Sequence, residues 1–385
     1  MPITTNVFRL NDVYNLVANN QIVYDAGSDP GANTLWIWGS GYGGNLGNNT
    51  RGSSAAVSSP VQIPGTSWST FDASDHVLAT KSDGTLWVWG GAQCGNLGID
   101  SASSSRSSPV QIPGTSWNDV STGNSHSLGR KSDGTLWAWG NNYDGRLGDG
   151  TNICRSSPIQ VPGTSWCAIS GGHKTSFGLK TDGTLWSWGY SYNGVLGCGG
   201  SPGTNSPRSS PIQIPGTSWV EVDQEYQSAM ARKTDGTVWV WGNNSAGKLG
   251  IYTQLNGSFI RSPLQLPGTT WNQIAMGWYN AQARKTDGTL WTWGENNAGQ
   301  VGNNTGVPVS SPVQIPGTQW NDVCNTDTRG VIARKTDGTL WNWGCSGYGQ
   351  LGNNTSNYNN KSSPVQIPGT QWSRISSRMA RKTVT

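Results

Sequence analysis

The chain is patterned in short strokes. Thr-Leu-Trp-Val-Trp-Gly at residues 85–90 alternates two faces, Trp87 and Trp89 on one, Leu86 and Val88 on the other. That period predicts a short strand closed by glycine. Lys81-Ser82-Asp83-Gly84 just before it reads as a hairpin turn, because Asp-Gly supplies positive φ at little cost. A further strand precedes that turn, at residues 77–80 here and 127–130 in the next unit. Ser-Pro-Val-Gln-Ile-Pro at 108–113 is another. Its prolines cannot donate to a ladder, which confines it to an edge or an end. Trp117-Asn118-Asp119-Val120-Ser121 is a fourth.

These strokes repeat. Trp-x-Trp-Gly begins at Trp36, Trp87, Trp137, Trp186, Trp239, Trp291 and Trp341, at intervals of 49 to 53 residues. Ser-Pro-apolar-Gln-apolar-Pro-Gly-Thr also occurs seven times, each copy followed by a third tryptophan. Four short strands in each of seven units predict an all-β, seven-bladed β-propeller over residues 31–385. One blade alone would expose two apolar faces, and radial stacking covers both. The first unit begins in its middle, at Thr34-Leu35-Trp36, and the last stops at Ala380-Arg381-Lys382-Thr383. One blade is therefore expected to be completed by both ends of the chain, which closes the ring and removes an open edge.

Composition sharpens this picture. The repeat accounts for 21 of the 22 tryptophans, and only Trp278 is extra. With 54 glycines and three glutamates in 385 residues, extended helices are nearly excluded. The net charge of +4 is too small to imply a nucleic-acid partner, and none is expected. No basic and apolar leader opens the chain, so no secretory signal is expected. No run approaches the length of a membrane span. Six cysteines at irregular spacings match no metal template and read as reduced thiols.

Candidate chemistry is sparse. His76 and His126 share one repeat position and read as structural; His173 is the third histidine. There is no nucleophile elbow, phosphate loop or dinucleotide fingerprint, so neither catalysis nor a cofactor is expected. One lysine recurs in all seven units, from Lys81 to Lys382, with an arginine before five of them. These basic residues are expected on one rim, compensated by nearby aspartates. The segment Gly-x-Leu/Val-Gly varies at Asn45, Asn96, Arg146, Val195, Lys248, Gln300 and Gln350, and the loop after it varies most. Variable loops on a rigid scaffold are where binding usually resides. Asn45, Asn96, Arg146, Lys248, Gln300 and Gln350 are therefore the candidate contacts for a ligand on the loop face. The alternative is tolerated variation at solvent.

Residues 1–30 lie outside the repeat. Leu10, Val13, Tyr14 and Val17 follow the i, i+3, i+4, i+7 spacing of an amphipathic helix, and Gln21-Ile22-Val23-Tyr24 reads as a strand. A complete ring does not require that apolar stripe. The segment is therefore expected to be an arm that anchors the propeller to another protein, with self-packing on the disc as the alternative.

Gly-Thr-Leu-Trp-Ala-Trp-Gly-Asn-Asn-Tyr-Asp-Gly-Arg-Leu-Gly at 134–148, followed by Arg-Ser-Ser-Pro-Ile-Gln-Val at 155–161, resembles the regulator of chromosome condensation repeat family. The Asp-Gly-Thr-Leu-Trp-x-Trp-Gly form is similar to its bacterial and bacteriophage branch. The resemblance implies a seven-bladed propeller that contacts proteins without common chemistry. The family's eukaryotic founder is an exchange factor for a small GTPase and a chromatin binder. That role would need long protruding loops and a basic tail, and the even unit spacing leaves no room for such loops. Together with the arm, the resemblance points to a non-enzymatic bacteriophage virion component of the tail, fibre or capsid-decoration type. Such a protein is made in the host cytoplasm and attached to other virion proteins by the arm, and its loop face can meet a host-surface ligand. The alternatives are a cytosolic bacterial scaffold and, further off, a propeller-based enzyme or exchange factor.

Overall fold

The computed structural model describes residues 33–50, 52, 56–101, 103–199, 206–252, 259–326, 329–354 and 359–383. The arm candidates Leu10, Val13, Tyr14 and Val17 lie outside them.

Seven four-stranded antiparallel sheets form the blades of a propeller. Blade 1 shows the plan: Trp68–Ala73, His76–Lys81, Leu86–Gly90 and Arg106–Ile112, paired in that order. Blades 2 to 6 follow over residues 117–161, 166–213, 219–265, 271–314 and 320–367. The first strand of each blade touches the first strand of the next, and that of blade 7 touches that of blade 1, which closes the ring around a central channel. The Ser-Pro strand is the outermost, paired on one side only, as its prolines require.

Blade 7 is built from both ends of the chain. Asn33–Gly39 pairs with Met379–Thr383, in the register Trp36↔Ala380, while Val57–Gln62 and Trp372–Ser376 flank them. Apolar burial falls into seven clusters that straddle neighbouring blades. In one, Leu35, Ile37 and Ile63 of blade 7 pack against Trp68, Val77 and Trp89 of blade 1.

The three tryptophans of a blade have separate roles. Trp68 meets Trp87 and Trp89 edge-on, with centroids 6.3 and 6.0 Å apart. The Trp87 indole donates to Thr85 Oγ1, which itself donates to Asp83. Trp89 is fully buried and reaches the blade before it, where its N–H donates to the carbonyl of Asn45 at 2.9 Å. Every junction repeats that bond: Trp139 to Asn96, Trp188 to Arg146, Trp241 to Val195, Trp293 to Lys248, Trp343 to Gln300, and Trp38 to Gln350. The acceptor is always the main chain of the variable residue in Gly-x-Leu/Val-Gly. The glycine that ends this motif leaves room for the indole. At Gly148, with φ of +74°, a Cβ would stand 2.8 Å from Trp188 Nε1.

Candidate functional site

Each blade presents two connections to one face of the disc, the corner between its first and second strands and the loop between its third and fourth. The variable motif lies in the second of these. Asn45, Asn96, Arg146, Lys248, Gln300 and Gln350 are all buried, with their side chains turned inward to tie loops and corners together. Asn96 accepts from the Gln93 N–H and donates to the Gly91 carbonyl. Asn45 donates to Ser74 O, Gln300 accepts from the Ala298 N–H, and Gln350 accepts from that of Tyr348. Arg146 donates to the carbonyl of His173, and Lys248 donates to those of Glu225 and Trp278 at 2.8 and 2.9 Å. Burial pushes the Lys248 ammonium down to about 7.

The face above these buried residues is aromatic. Tyr42, Tyr143, Tyr192 and Tyr348 stand in the loops, 73, 68, 47 and 52% exposed. At the corners of blades 3, 4 and 5, His173, Tyr226, Trp278 and Tyr279 converge. The Tyr226 and Trp278 rings stack with centroids 5.5 Å apart and planes 16° from parallel. His173 leans on both, at 5.7 and 5.9 Å. Tyr190 and Tyr192 stack beside them at 5.2 Å, and Lys174 Nζ lies 5.2 Å from the Tyr190 ring centroid. Burial pushes the His173 imidazole below its ordinary range, and the Lys174 and Arg146 cations push it the same way. Sequence reasoning missed this cluster. Its one trace is Trp278, the tryptophan left over from the repeat.

The other two histidines join blades. His76 Nε2 meets Ser127 Oγ at 2.6 Å, and His126 Nε2 meets Ser176 Oγ at 2.8 Å. Burial pushes His76 down to about 3 and His126 well below its usual range.

The periodic basic residues do not form a free rim. All seven lysines cap two tryptophans of their own blade, with Nζ 4.3 to 5.0 Å from the ring centroids. The arginines turn toward the channel and meet the first strand across the ladder. Asp119 is opposite Arg130, and Glu221 is opposite Arg232, whose Nε donates to it at 2.8 Å. Two residues further along that strand, side chains latch neighbouring blades. Asp72 accepts from the Thr122 N–H and Asp223 from that of Met276, both at 2.8 Å. Burial pushes the Asp223 carboxyl up to about 7. Asp223, Gln273, Asp322, Ser373, Arg374 and Arg381 line a cavity of about 470 Å³ in the channel.

Among the described residues, no cluster of His, Cys, Asp or Glu could hold a metal ion, and no helix is long and apolar enough to cross a membrane. The cysteines among them are free thiols.

The family model described as the regulator of chromosome condensation (RCC1) repeat matches residues 83–129, 133–179, 287–324 and 337–377. A second model of that description matches 117–146 and 271–300. None of the curated proteins matches the chain. Among solved structures, human WBSCR16 superposes with a TM-score of 0.77 at 19% identity, over 92% of this chain and 99% of that one. Yeast RCC1 (Prp20), solved with Kap60, gives 0.80 at 18% identity, over 92% of this chain and 89% of that one. The Saccharomyces cerevisiae Prp20p structure, described together with its binding to Gsp1p and histones, gives 0.80 at 19% identity, over 92% of each chain. At these identities the likeness is one of fold. Seven blades, each bound to the last through a tryptophan and a Gly-x-Leu/Val-Gly loop, and the matched repeat models together show that this chain is a seven-bladed propeller carrying regulator of chromosome condensation (RCC1) repeats.

Proposed function

We propose that this protein is a non-catalytic binding propeller, carried as a structural component of a bacteriophage particle by its N-terminal arm. It offers its loop face to a partner at the host surface. The observation that carries the binding role is the contrast within that face. Its buried polar side chains hold the blades together, while tyrosines, a tryptophan and a histidine stand at the surface on rigid corners. Tyrosine and tryptophan on a rigid scaffold are the residue types that dominate binding energy. The phage assignment rests on the form of the repeat and on the apolar stripe in residues 1–30, and is family analogy.

The test is to locate the protein by mass spectrometry and imaging of purified particles, with the full chain and with residues 1–30 removed. The truncated propeller should fold as a soluble monomer and fail to join the particle. Absence of the full-length protein from particles, or incorporation without the arm, refutes the reading. Absence would favour the cytosolic scaffold.

A second reading follows from the yeast relative described with Gsp1p and histones. On that reading the loop face engages a small GTPase and promotes nucleotide release. Release of fluorescent GDP from small GTPases with and without the protein separates the two.

A further inference from the structure

The aromatic cluster on blades 3 to 5 surrounds a hollow. His173, Lys174, Thr175, Tyr190, Tyr226 and Gln227 line a cavity of about 150 Å³, room for one ring-sized group. One wall is the Tyr190 ring, backed by Tyr192. The other is His173 and Tyr226, backed by the stacked Trp278. Polar atoms interrupt these walls: the Lys174 ammonium, the Thr175 hydroxyl and the Gln227 amide. Asn193 and Asn243 both donate to Gln227 Oε1, which fixes the amide and turns its N–H₂ away from them.

The composition of this hollow selects among ligands. A cation would meet Lys174, which already occupies the Tyr190 face. An anion would find one ammonium and an imidazole whose burial and neighbouring cations disfavour its charged form. An aliphatic or aromatic side chain of a protein partner would leave the Lys174 and Gln227 donors buried without acceptors, which costs affinity. A group that presents C–H to the rings and hydroxyls at its rim satisfies both kinds of wall.

From this juxtaposition we propose that the hollow between Tyr190 and the His173–Tyr226–Trp278 stack is a carbohydrate subsite, which takes the pyranose ring at the end or within a surface glycan. The sugar's apolar face lies on the aromatic rings, and its hydroxyls accept from Lys174 and Gln227. Arg146 and Lys248 are positioning residues, because they hold the main chain of His173 and Trp278 from below. The proposal rests on the reading of the loop face as the displayed surface, and it names the ligand class.

The experiment uses the full chain on an immobilised panel of pyranose-terminated oligosaccharides from bacterial capsule and lipopolysaccharide. Saturation-transfer NMR with the methyl glycosides of glucose, galactose, mannose and N-acetylglucosamine follows. At least one glycan class should bind. Tyr226→Ala should weaken it by about tenfold or more, as truncation of a central aromatic contact does, and Trp278→Ala, which removes the ring that backs Tyr226 and His173, should weaken it several-fold. Lys174→Ala should weaken it less. Trp278 and Lys174 are half-buried corner residues, so these two variants should keep the parent melting temperature and remain informative if Tyr226→Ala does not fold. A panel and NMR series without binding, or binding that Trp278→Ala and Lys174→Ala leave unchanged, overturns the proposal. So does capture of a protein partner that Trp278→Ala abolishes while the panel stays blank. A protein that binds glycan but is absent from particles keeps this site and removes the virion reading; one present in particles but blind to glycan does the reverse.

Discussion

Gly148 tests the joint between blades directly. Its φ is +74°, and a Cβ there would lie 2.8 Å from Trp188 Nε1 and 3.0 Å from Cδ1. Gly148→Ala therefore carries two costs. A left-handed backbone with a Cβ costs about 1–2 kcal/mol. Displacing the indole breaks its 2.9 Å bond to Arg146 O and leaves a buried donor without its acceptor, about 1–3 kcal/mol more. The sum is about 2–5 kcal/mol. Gly150 supplies the control: its φ is +80°, and the nearest atom to a Cβ is Ser210 Oγ at 3.8 Å. Gly150→Ala should cost only the backbone share, about 1–2 kcal/mol.

The difference between the two variants isolates the tryptophan socket, and urea unfolding followed by circular dichroism reads it. A second comparison uses Trp188→Phe, which removes the N–H and part of the bulk. In that background Gly148→Ala should lose much of its excess cost, because contacting residues couple by about 0.5–3 kcal/mol. Equal destabilisation by the two glycine changes, or strict additivity of Gly148→Ala with Trp188→Phe, refutes the socket.

Four further outcomes are expected. Deleting residues 372–385 removes both C-terminal strands of blade 7 and uncovers the faces of blades 1 and 6; the product should aggregate on size exclusion, and a truncated chain that melts like the parent would falsify closure by the two ends. Lys131→Ala removes an ammonium 4.9 and 4.3 Å from the Trp117 and Trp137 centroids; it should cost about 0.5–2 kcal/mol, and an effect that salt abolishes would point instead to a screened ion pair. The Asp223 carboxyl, raised to about 7 by burial, contributes stability that is present in acid and lost as pH climbs from the ordinary carboxylate range through 7. Asp223→Asn should gain on the parent by on the order of a few kcal/mol across that window, and a difference that is flat with pH removes the argument. His76, lowered to about 3, acts in the opposite sense: its stability is present above the free histidine value and lost as pH falls toward 3.

What the sequence made legible was whatever repeats in side chains. Three tryptophans per unit, the proline-bounded edge strand and the split first unit led to seven blades and a shared closing blade, because each is written at a fixed period. The variable residue of Gly-x-Leu/Val-Gly was opaque for the opposite reason. Its conserved duty is performed by its carbonyl, which any residue supplies, so its side chain varies without telling whether it is exposed. The arginines looked like a rim because their partners sit across a strand pair: Asp119 meets Arg130 only once the register is known. The aromatic cluster needed the ring itself. His173, Tyr226 and Trp278 lie about fifty residues apart along the chain and touch only because three blades turn their corners to one place.

The use of main chain at the joints has a consequence for function. A blade is held to its neighbour by an indole on one side and a carbonyl on the other, so no particular side chain is required in the loop that supplies the carbonyl. The same holds at the corners, where Ser74, Asn124, His173, Tyr226 and Trp278 take equivalent places without disturbing the strands around them. Stability and surface chemistry are thereby carried by different atoms of the same segments. The chain can place aromatics on three adjacent blades and leave the other corners polar, and the ring closes all the same. Under the aromatic cluster the two roles meet at Arg146 and Lys248, since each gives its carbonyl to a tryptophan and its side chain to the corner above. Replacing either side chain should therefore loosen the aromatic corner while the joint beneath it, made by the backbone, persists.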